Sequence, residues 1–214
     1  MKKIKAILFD LDGTLVDSTE FVLQAYEYTL AFHGLPVTTR EKLSPMIGRG
    51  LHAIYTEIAP KVDPVLLSET HINFQKERLH LVRSYPFVLA TIKKLKKLNI
   101  RLAIVTSRMK NTDETLKTAG LDPNLFEVIV TADDTTNIKP HPEAVLLALN
   151  KLKIAPTQAI LVGDGIADIE MAKNAKVRTV GVTYGFGGQD IIKSKPDYVI
   201  DDLIKLPKVL GFAD

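Results

Sequence analysis

Aspartates at positions 10 and 12 stand where the apolar run 4–9 ends, in Asp10-Leu11-Asp12-Gly13-Thr14. Spaced two apart in extended chain, their carboxylates lean the same way while Leu11 points away. Gly13 follows where a tight turn is needed. Three further apolar runs lead into polar residues. Residues 100–105 end at Thr106-Ser107, 126–130 precede Lys139-Pro140, and 159–162 end at Gly163-Asp164-Gly165, with Asp168 four residues past Asp164. One turn apart at a helix start, Asp164 and Asp168 face the same way. Each group has an ordinary reading: loop solvation for the acids, a helix cap for Thr106, a surface position for Lys139. Their joint occurrence at the strand ends of one sheet is what departs from chance.

The chemistry that suits these groups is phosphoryl transfer. A carboxylate is already ionised at neutral pH, so Asp10 needs no base to attack phosphorus and form an acyl phosphate. Asp12 can protonate the leaving oxygen and then take a proton from the water that opens the intermediate. Carboxylate ligands with no histidine cluster point to Mg²⁺ rather than zinc, with Asp10, Asp164 and the backbone carbonyl of Asp12 on the metal. The Thr106 hydroxyl can donate to a phosphoryl oxygen, beside Ser107. Lys139 supplies a positive charge to phosphate and nucleophile, in a reaction dominated by charge stabilisation.

The elements that must position these residues follow from periodicity. Residues 4–9 read as a buried strand. From Ser18 the period becomes helical, with Phe21, Val22, Ala25, Tyr28, Thr29 and Phe32 on one face and Leu23, Tyr26 and Leu30 on another, until Gly34 and Pro36. A short helix near Thr39, one ending near Ala59 and one from Pro64 to about Val82 complete an all-helical segment, with no strand expected between residues 18 and 85. Beyond Tyr85-Pro86 the pattern alternates. A helix turns Val88, Leu89, Ile92, Leu95 and Leu98 inward. Strands are expected at 100–105, 126–130, 159–162, 178–182 and 197–200. Between them lie a helix with Asp113 and Glu114 in its first turn and Gly120 past its end, one with Val145, Leu146, Leu149 and Leu152 inward, and one over 166–175. A terminal helix closes the chain. Short apolar strands alternating with helices predict an α/β fold with a doubly wound parallel sheet, carrying an inserted helical unit. In such sheets, sites gather outside the carboxyl ends of the strands.

Composition narrows the classes. The 214 residues include no cysteine, which excludes disulfides, thiolate zinc sites and cysteine nucleophiles and fits a cytoplasmic protein. The apolar run after the basic start is short and ends at two aspartates, so neither a signal peptide nor a membrane span is expected. Net charge is +3, and the densest basic stretch, Lys93-Lys94-Leu95-Lys96-Lys97, has the spacing of a solvated helix face. No nucleic-acid or membrane partner is expected, and monomer and homodimer both remain open.

The run Asp10-Leu11-Asp12-Gly13-Thr14-Leu15-Val16-Asp17-Ser18 resembles the first motif of the haloacid dehalogenase-like phosphatase superfamily. Thr106, Lys139-Pro140 and Gly163-Asp164-Gly165-Ile166-Ala167-Asp168 resemble its second, third and fourth motifs, in order. The helical insertion directly after the first motif is similar to the cap of members with a type-1 cap. The resemblance implies a core of residues 1–16 and 84–214 with a cap of 17–83. It also implies Asp10 as nucleophile, Asp12 as acid/base, Thr106 and Lys139 on the phosphate, and Mg²⁺ at Asp10, Asp12 and Asp164, with Asp168 supporting. Gly48-Arg49-Gly50-Leu51, Lys139-Pro140-His141-Pro142-Glu143 and Tyr184-Gly185-Phe186-Gly187-Gly188 look most like phosphoglycolate phosphatases and bacterial pyrophosphatases. A phosphoglycolate-like monoester is the expected substrate, with pyrophosphate as the alternative. Arg49, in a cap loop able to close over the site, suits a second anionic group on the substrate. A sugar phosphomutase of the same superfamily, or a phosphoaspartate receiver domain, would use similar residues. A receiver carries no cap and places its phosphoacceptor on a later strand than its metal acids.

Overall fold

The computed structural model describes residues 3–108 and 112–212. Its central sheet has six parallel strands: β1 (Ala6–Phe9), β4 (Arg101–Val105), β5 (Val128–Val130), β6 (Ala159–Gly163), β7 (Arg178–Val182) and β8 (Tyr198–Ile200). Their order is β5-β4-β1-β6-β7-β8, so β1 is flanked by β4 and β6 in register Ala6↔Arg101 and Ala6↔Ala159. The chain leaves β1 towards one edge of the sheet and returns to the other side at β6. Such a reversal opens a crevice above the carboxyl ends of the two central strands.

Alternation along the strands splits the core into two layers. Ile7 and Phe9 of β1 join Leu102, Ile104, Ile160 and Val162 on one face, under α5 (Val88–Lys97), which adds Ile92 and Leu95. Ala6 and Leu8 join Ala103, Val105, Ala159 and Leu161 on the other, under α7 (Glu143–Leu152) and α8 (Ile166–Asn174), which add Val145, Leu149 and Met171. Both faces are covered, which is why the strands read as continuous apolar runs rather than alternating ones. Two residues expected inward face solvent: Leu98, beyond the end of α5, and Leu146 of α7. Gly120 follows α6 (Thr112–Thr118) with φ +77°, the left-handed turn expected there. The terminal helix is short, α9 (Leu206–Val209).

The helices inserted after β1 are α1 (Thr19–Phe32), α2 (Arg40–Leu43), α3 (Leu51–Ile58) and α4 (Pro64–Lys76). They enclose their own cluster, in which Leu23, Tyr26 and Leu30 meet Leu43, Tyr55 and Leu67. Here the second stripe of α1 fills the cluster, and Ala25 and Thr29 of the first stripe are buried too. Of the first stripe, Phe21 turns to the sheet core, while Phe32 is 65% exposed and Tyr28 stacks on Phe74 outside, with ring centroids 4.4 Å apart. Four short helices leave one interior, and the three-residue offset between the stripes decides which one fills it.

The expected helix from Pro64 to Val82 ends at Lys76, where Arg78 lies over the Phe74 ring at 3.8 Å. Arg83–Ser84 then forms a strand, β3, where none was expected. It pairs antiparallel with β2 (Val16–Asp17), Val16 opposite Ser84 and Asp17 opposite Arg83. Two residues carry too little alternation to be read from sequence. The ribbon ties together the two crossings between sheet and helices, and we propose it as the hinge between a core of 1–16 and 84–214 and a cap of 17–83. Among the described residues no helix is long and apolar enough to cross a membrane.

The two stripes of α1 give contrasting expectations. Leu30→Ala, in the closed cluster, should cost ~2–5 kcal/mol, and Phe32→Ala less than about 0.5 kcal/mol, both read from urea unfolding. Equal costs would contradict the assignment of faces.

Candidate active site

The crevice at the switch point collects the residues that the strand ends deliver. Asp10 directly follows β1, held in the sheet by its N–H to the Val162 carbonyl at 2.9 Å. The chain then doubles back: Leu15 N–H donates to the Leu11 carbonyl at 2.9 Å and Gly13 N–H to Val16 at 2.9 Å. Gly13 sits at φ +79°, and a Cβ there would lie 2.3 Å from Asp164 Oδ2. Glycine is thus required both by conformation and by the approach of the acid delivered from β6.

Asp10, Asp164 and Asp168 each turn one carboxylate oxygen into a common space, all three within 4.8 Å of one another and all buried. Lys139 lies between two of them, its Nζ 2.7 Å from Asp10 Oδ1 and 2.7 Å from Asp168 Oδ1. Asp168 also accepts from Gly165 N–H at 3.0 Å, which fixes it across the start of α8. Asp164 accepts from the Thr14 hydroxyl at 3.2 Å and from Phe186 N–H at 2.7 Å. The Phe186 loop can approach this closely only as glycine at 185, where a Cβ would meet the Gly13 carbonyl at 2.2 Å.

Three carboxylates around one ammonium leave an excess of negative charge out of water. Burial, then the neighbouring Asp168, pushes the Asp164 carboxyl up to about 7. Asp10 is also raised well above the usual carboxylate range, by burial and the Asp168 charge, against the opposing pull of Lys139. For Lys139 burial works against the ammonium, but Asp10 and Asp168 outweigh it and keep the side chain protonated. The donor set is carboxylate oxygen only, the chemistry that suits a hard divalent cation such as Mg²⁺.

Asp12 stands apart from this group. Arg108 grips it with two hydrogen bonds, Nε to Oδ2 at 2.6 Å and Nη2 to Oδ1 at 2.8 Å, and the Ser18 hydroxyl also donates to Oδ1. Burial opposes its ionisation, but Arg108 and Ser18 outweigh burial and hold the carboxyl below its ordinary value. Thr106 is buried at the end of β4, and its hydroxyl oxygen accepts from Arg108 N–H at 3.1 Å, leaving the hydroxyl hydrogen to donate. Ser107 points to the insertion instead, its hydroxyl 3.3 Å from the Gly48 carbonyl.

A cavity of about 410 Å³ lies over these residues. Asp10, Asp12, Lys139, Asp164 and Asp168 line one side, and Ile47, Gly48, Arg49 and Ala53 of the insertion line the other. Arg49 is half-exposed and paired with Glu57 at 2.9 Å. The expected residues therefore converge, with Ser107 and Arg49 on the insertion side. Missing from the expectation were Arg108, Ser18 and the Phe186 amide. Arg108 follows Thr106-Ser107 directly, but its partner Asp12 lies 96 positions away in sequence.

Residues 7–182 match the model of the haloacid dehalogenase-like hydrolases. The chain belongs to that family. As one of its members it is a phosphatase, and the resemblance to that superfamily is borne out. It is 37% identical over 213 residues to the pyrophosphatase PpaX of Bacillus velezensis, covering 98% of each chain. Among solved structures it resembles a predicted phosphoglycolate phosphatase from Haemophilus somnus, with TM-score 0.87, 30% identity and 98% and 99% of the two chains covered. It is also similar to a haloacid dehalogenase-like family protein from Streptococcus pneumoniae, with TM-score 0.89, 25% identity and 99% and 100% covered.

The charge imbalance of this hydrolase's site sets its response to pH. A carboxyl with a raised pKa keeps its proton in the folded protein where the unfolded chain has lost it, so its contribution to stability declines as pH rises between the two values. For Asp164 that interval runs from 3.8 to about 7. Metal-free Asp164→Asn protein should gain stability relative to wild type as pH is raised across it, measured by urea midpoints. A constant difference between the two proteins would contradict the buried-acid account.

Proposed function

We propose that this phosphatase transfers a phosphoryl group from a small metabolite to Asp10 and then to water, in a Mg²⁺-dependent reaction. The carrying observation is Lys139 bonded to Asp10 within a buried cluster of three aspartates, beside an Asp12 held separately by Arg108. Lys139 keeps the Asp10 oxygen oriented and offsets part of the charge that would repel a phosphate dianion. Asp10, Asp164 and the Asp12 carbonyl, with Asp168 supporting, would hold Mg²⁺, which would supply the remaining charge neutralisation. A carboxylate oxygen of Asp10 forms the new bond to phosphorus as the bond to the leaving oxygen breaks, and Asp12, after taking up a proton from solvent, delivers it to that oxygen. Water then attacks the acyl phosphate and gives its proton to Asp12, and orthophosphate leaves as Asp10 is restored. Thr106 donates to a phosphoryl oxygen, with the Gly13 turn and Ser107 alongside.

The substrate reading is a compound with a second anionic group on the part that leaves. Inorganic pyrophosphate comes first, supported by the likeness over nearly the whole chain to relatives named pyrophosphatase. Phosphoglycolate is the second reading, supported by the 30% identical structure described as a predicted phosphoglycolate phosphatase. Both present a second anion to the wall of the cavity that carries Arg49.

Asp10→Asn should lower phosphate release from an aryl phosphate by at least about a thousandfold with an unchanged melting temperature, since the nucleophile itself is gone. Chelation should remove the activity, and Mg²⁺ restore it. Near-wild-type turnover by Asp10→Asn, or after thorough chelation, would sink the reading. Arg49→Ala should raise KM for pyrophosphate and phosphoglycolate about tenfold with kcat little changed, because a half-exposed arginine on the cavity wall binds ground state and transition state alike. An equal rise for a neutral aryl phosphate would remove Arg49 from substrate recognition.

A further inference from the structure

Among the described residues, both carboxylate oxygens of Asp12 are engaged by hydrogen-bond donors. Oδ2 receives Arg108 Nε at 2.6 Å, while Oδ1 receives both Arg108 Nη2 at 2.8 Å and the Ser18 hydroxyl. Held so, both oxygens are already committed to donors from Arg108 and Ser18. Arg108 is itself well seated: the side chain is 10% exposed, its Nη1 lies 3.3 Å from Thr115 Oγ1, and the guanidinium stacks 4.8 Å from the Phe21 ring of α1. Asp12 reaches the cavity, and Arg108 lies immediately behind it.

A guanidinium satisfied by one carboxylate through two parallel bonds can exchange it for another planar anion, or for a phosphate, with the same fork geometry. From the geometry we infer that Arg108 determines specificity by exchange: an anionic leaving group draws the guanidinium from Asp12 and so frees Asp12 to serve the leaving oxygen. The inference rests on the proposed reading of Asp12 as acid/base and names the substrate class more narrowly, as phosphates whose leaving portion carries a carboxylate or phosphate. A substrate with a neutral leaving portion leaves Arg108 on Asp12 and meets an acid that is still engaged. Arg49 differs in kind, because it touches no catalytic residue and acts on binding alone.

The test compares two substrates of nearly equal size, 2-phosphoglycolate and ethyl phosphate, which differ in the carboxylate on the leaving group. Wild type should favour phosphoglycolate by at least about thirtyfold in kcat/KM, the scale of one charge-assisted hydrogen-bonded pair. Arg108→Met, which keeps an unbranched apolar stem and removes the guanidinium, should narrow that preference by about tenfold or more, chiefly through kcat. Arg108→Lys, with a point charge in place of the fork, should narrow it about threefold. The lysine variant carries the test by itself should the methionine protein not fold, as judged by its melting curve. Equal losses on both substrates, or a preference unchanged by either variant, would overturn the assignment and leave Arg108 a structural residue. Absence of a preference in wild type would also overturn it. Failure of the underlying reading looks different: Asp12→Asn would then turn over either substrate at close to the wild-type rate.

Discussion

Three carboxylates with oxygens no more than 4.8 Å apart, out of water at the switch point of a parallel sheet, are the constraint to which the rest of the structure answers. At an effective dielectric of about 20, each pair of charges at that separation repels by roughly 3–4 kcal/mol. Lys139 meets two of the three at 2.7 Å and offsets part of this. The remainder appears as raised pKa values on Asp10 and Asp164. A protein with nothing to bind there would be more stable without the cluster. The arrangement is intelligible as a site prepared for positive charge, which a divalent cation among the three acids would bring.

The surrounding chain is built to keep these acids close. Gly13 and Gly185 remove the side chains that would separate the β1 turn, Asp164 and the loop after β7. Tyr184 anchors that loop from the other side, its hydroxyl donating to the Thr14 carbonyl at 2.8 Å and its ring 4.6 Å from Tyr85. Tyr85 in turn donates its N–H to the Leu15 carbonyl at 3.2 Å, next to the β2–β3 ribbon. Thus the ribbon carrying the helical insertion and the loop positioning Asp164 share one packed junction.

Much of this was legible in the sequence because it depends on local pattern. The six core strands, the helical insertion and the polar residues at four strand ends each leave a periodicity or a break in one. The remainder depends on contacts the sequence does not order. Arg108 reaches Asp12 across 96 positions, and from its neighbours alone it reads as a loop arginine. The Phe186 amide leaves no trace, because every residue but proline offers the same donor. Tyr28 and Phe32 share a stripe with Phe21, yet only Phe21 meets the sheet. Three apolar residues at helical spacing show that a face exists, but not how far along it the neighbouring layer extends.

The division of labour between the layers follows from how they meet. Asp10 and Asp164 stand at strand ends, Asp168 on the first turn of α8 and Lys139 in the turn before α7, all on the core, whose strands are buried on both faces and fixed in register. The insertion meets the core through the two-pair ribbon, Ser107 with the Gly48 carbonyl, Ile138 against Gly50, Ser18 with Asp12, and Phe21 packed into the sheet cluster. A shift of the central strands would disrupt two hydrophobic layers at once. Arg49 stands on the insertion, across the cavity from the acids. Arg108 belongs to the fixed side but stacks on Phe21 of α1, the first helix beyond the ribbon. Through that contact the grip on Asp12 is the point where the attitude of the insertion and the state of the chemical groups bear on each other.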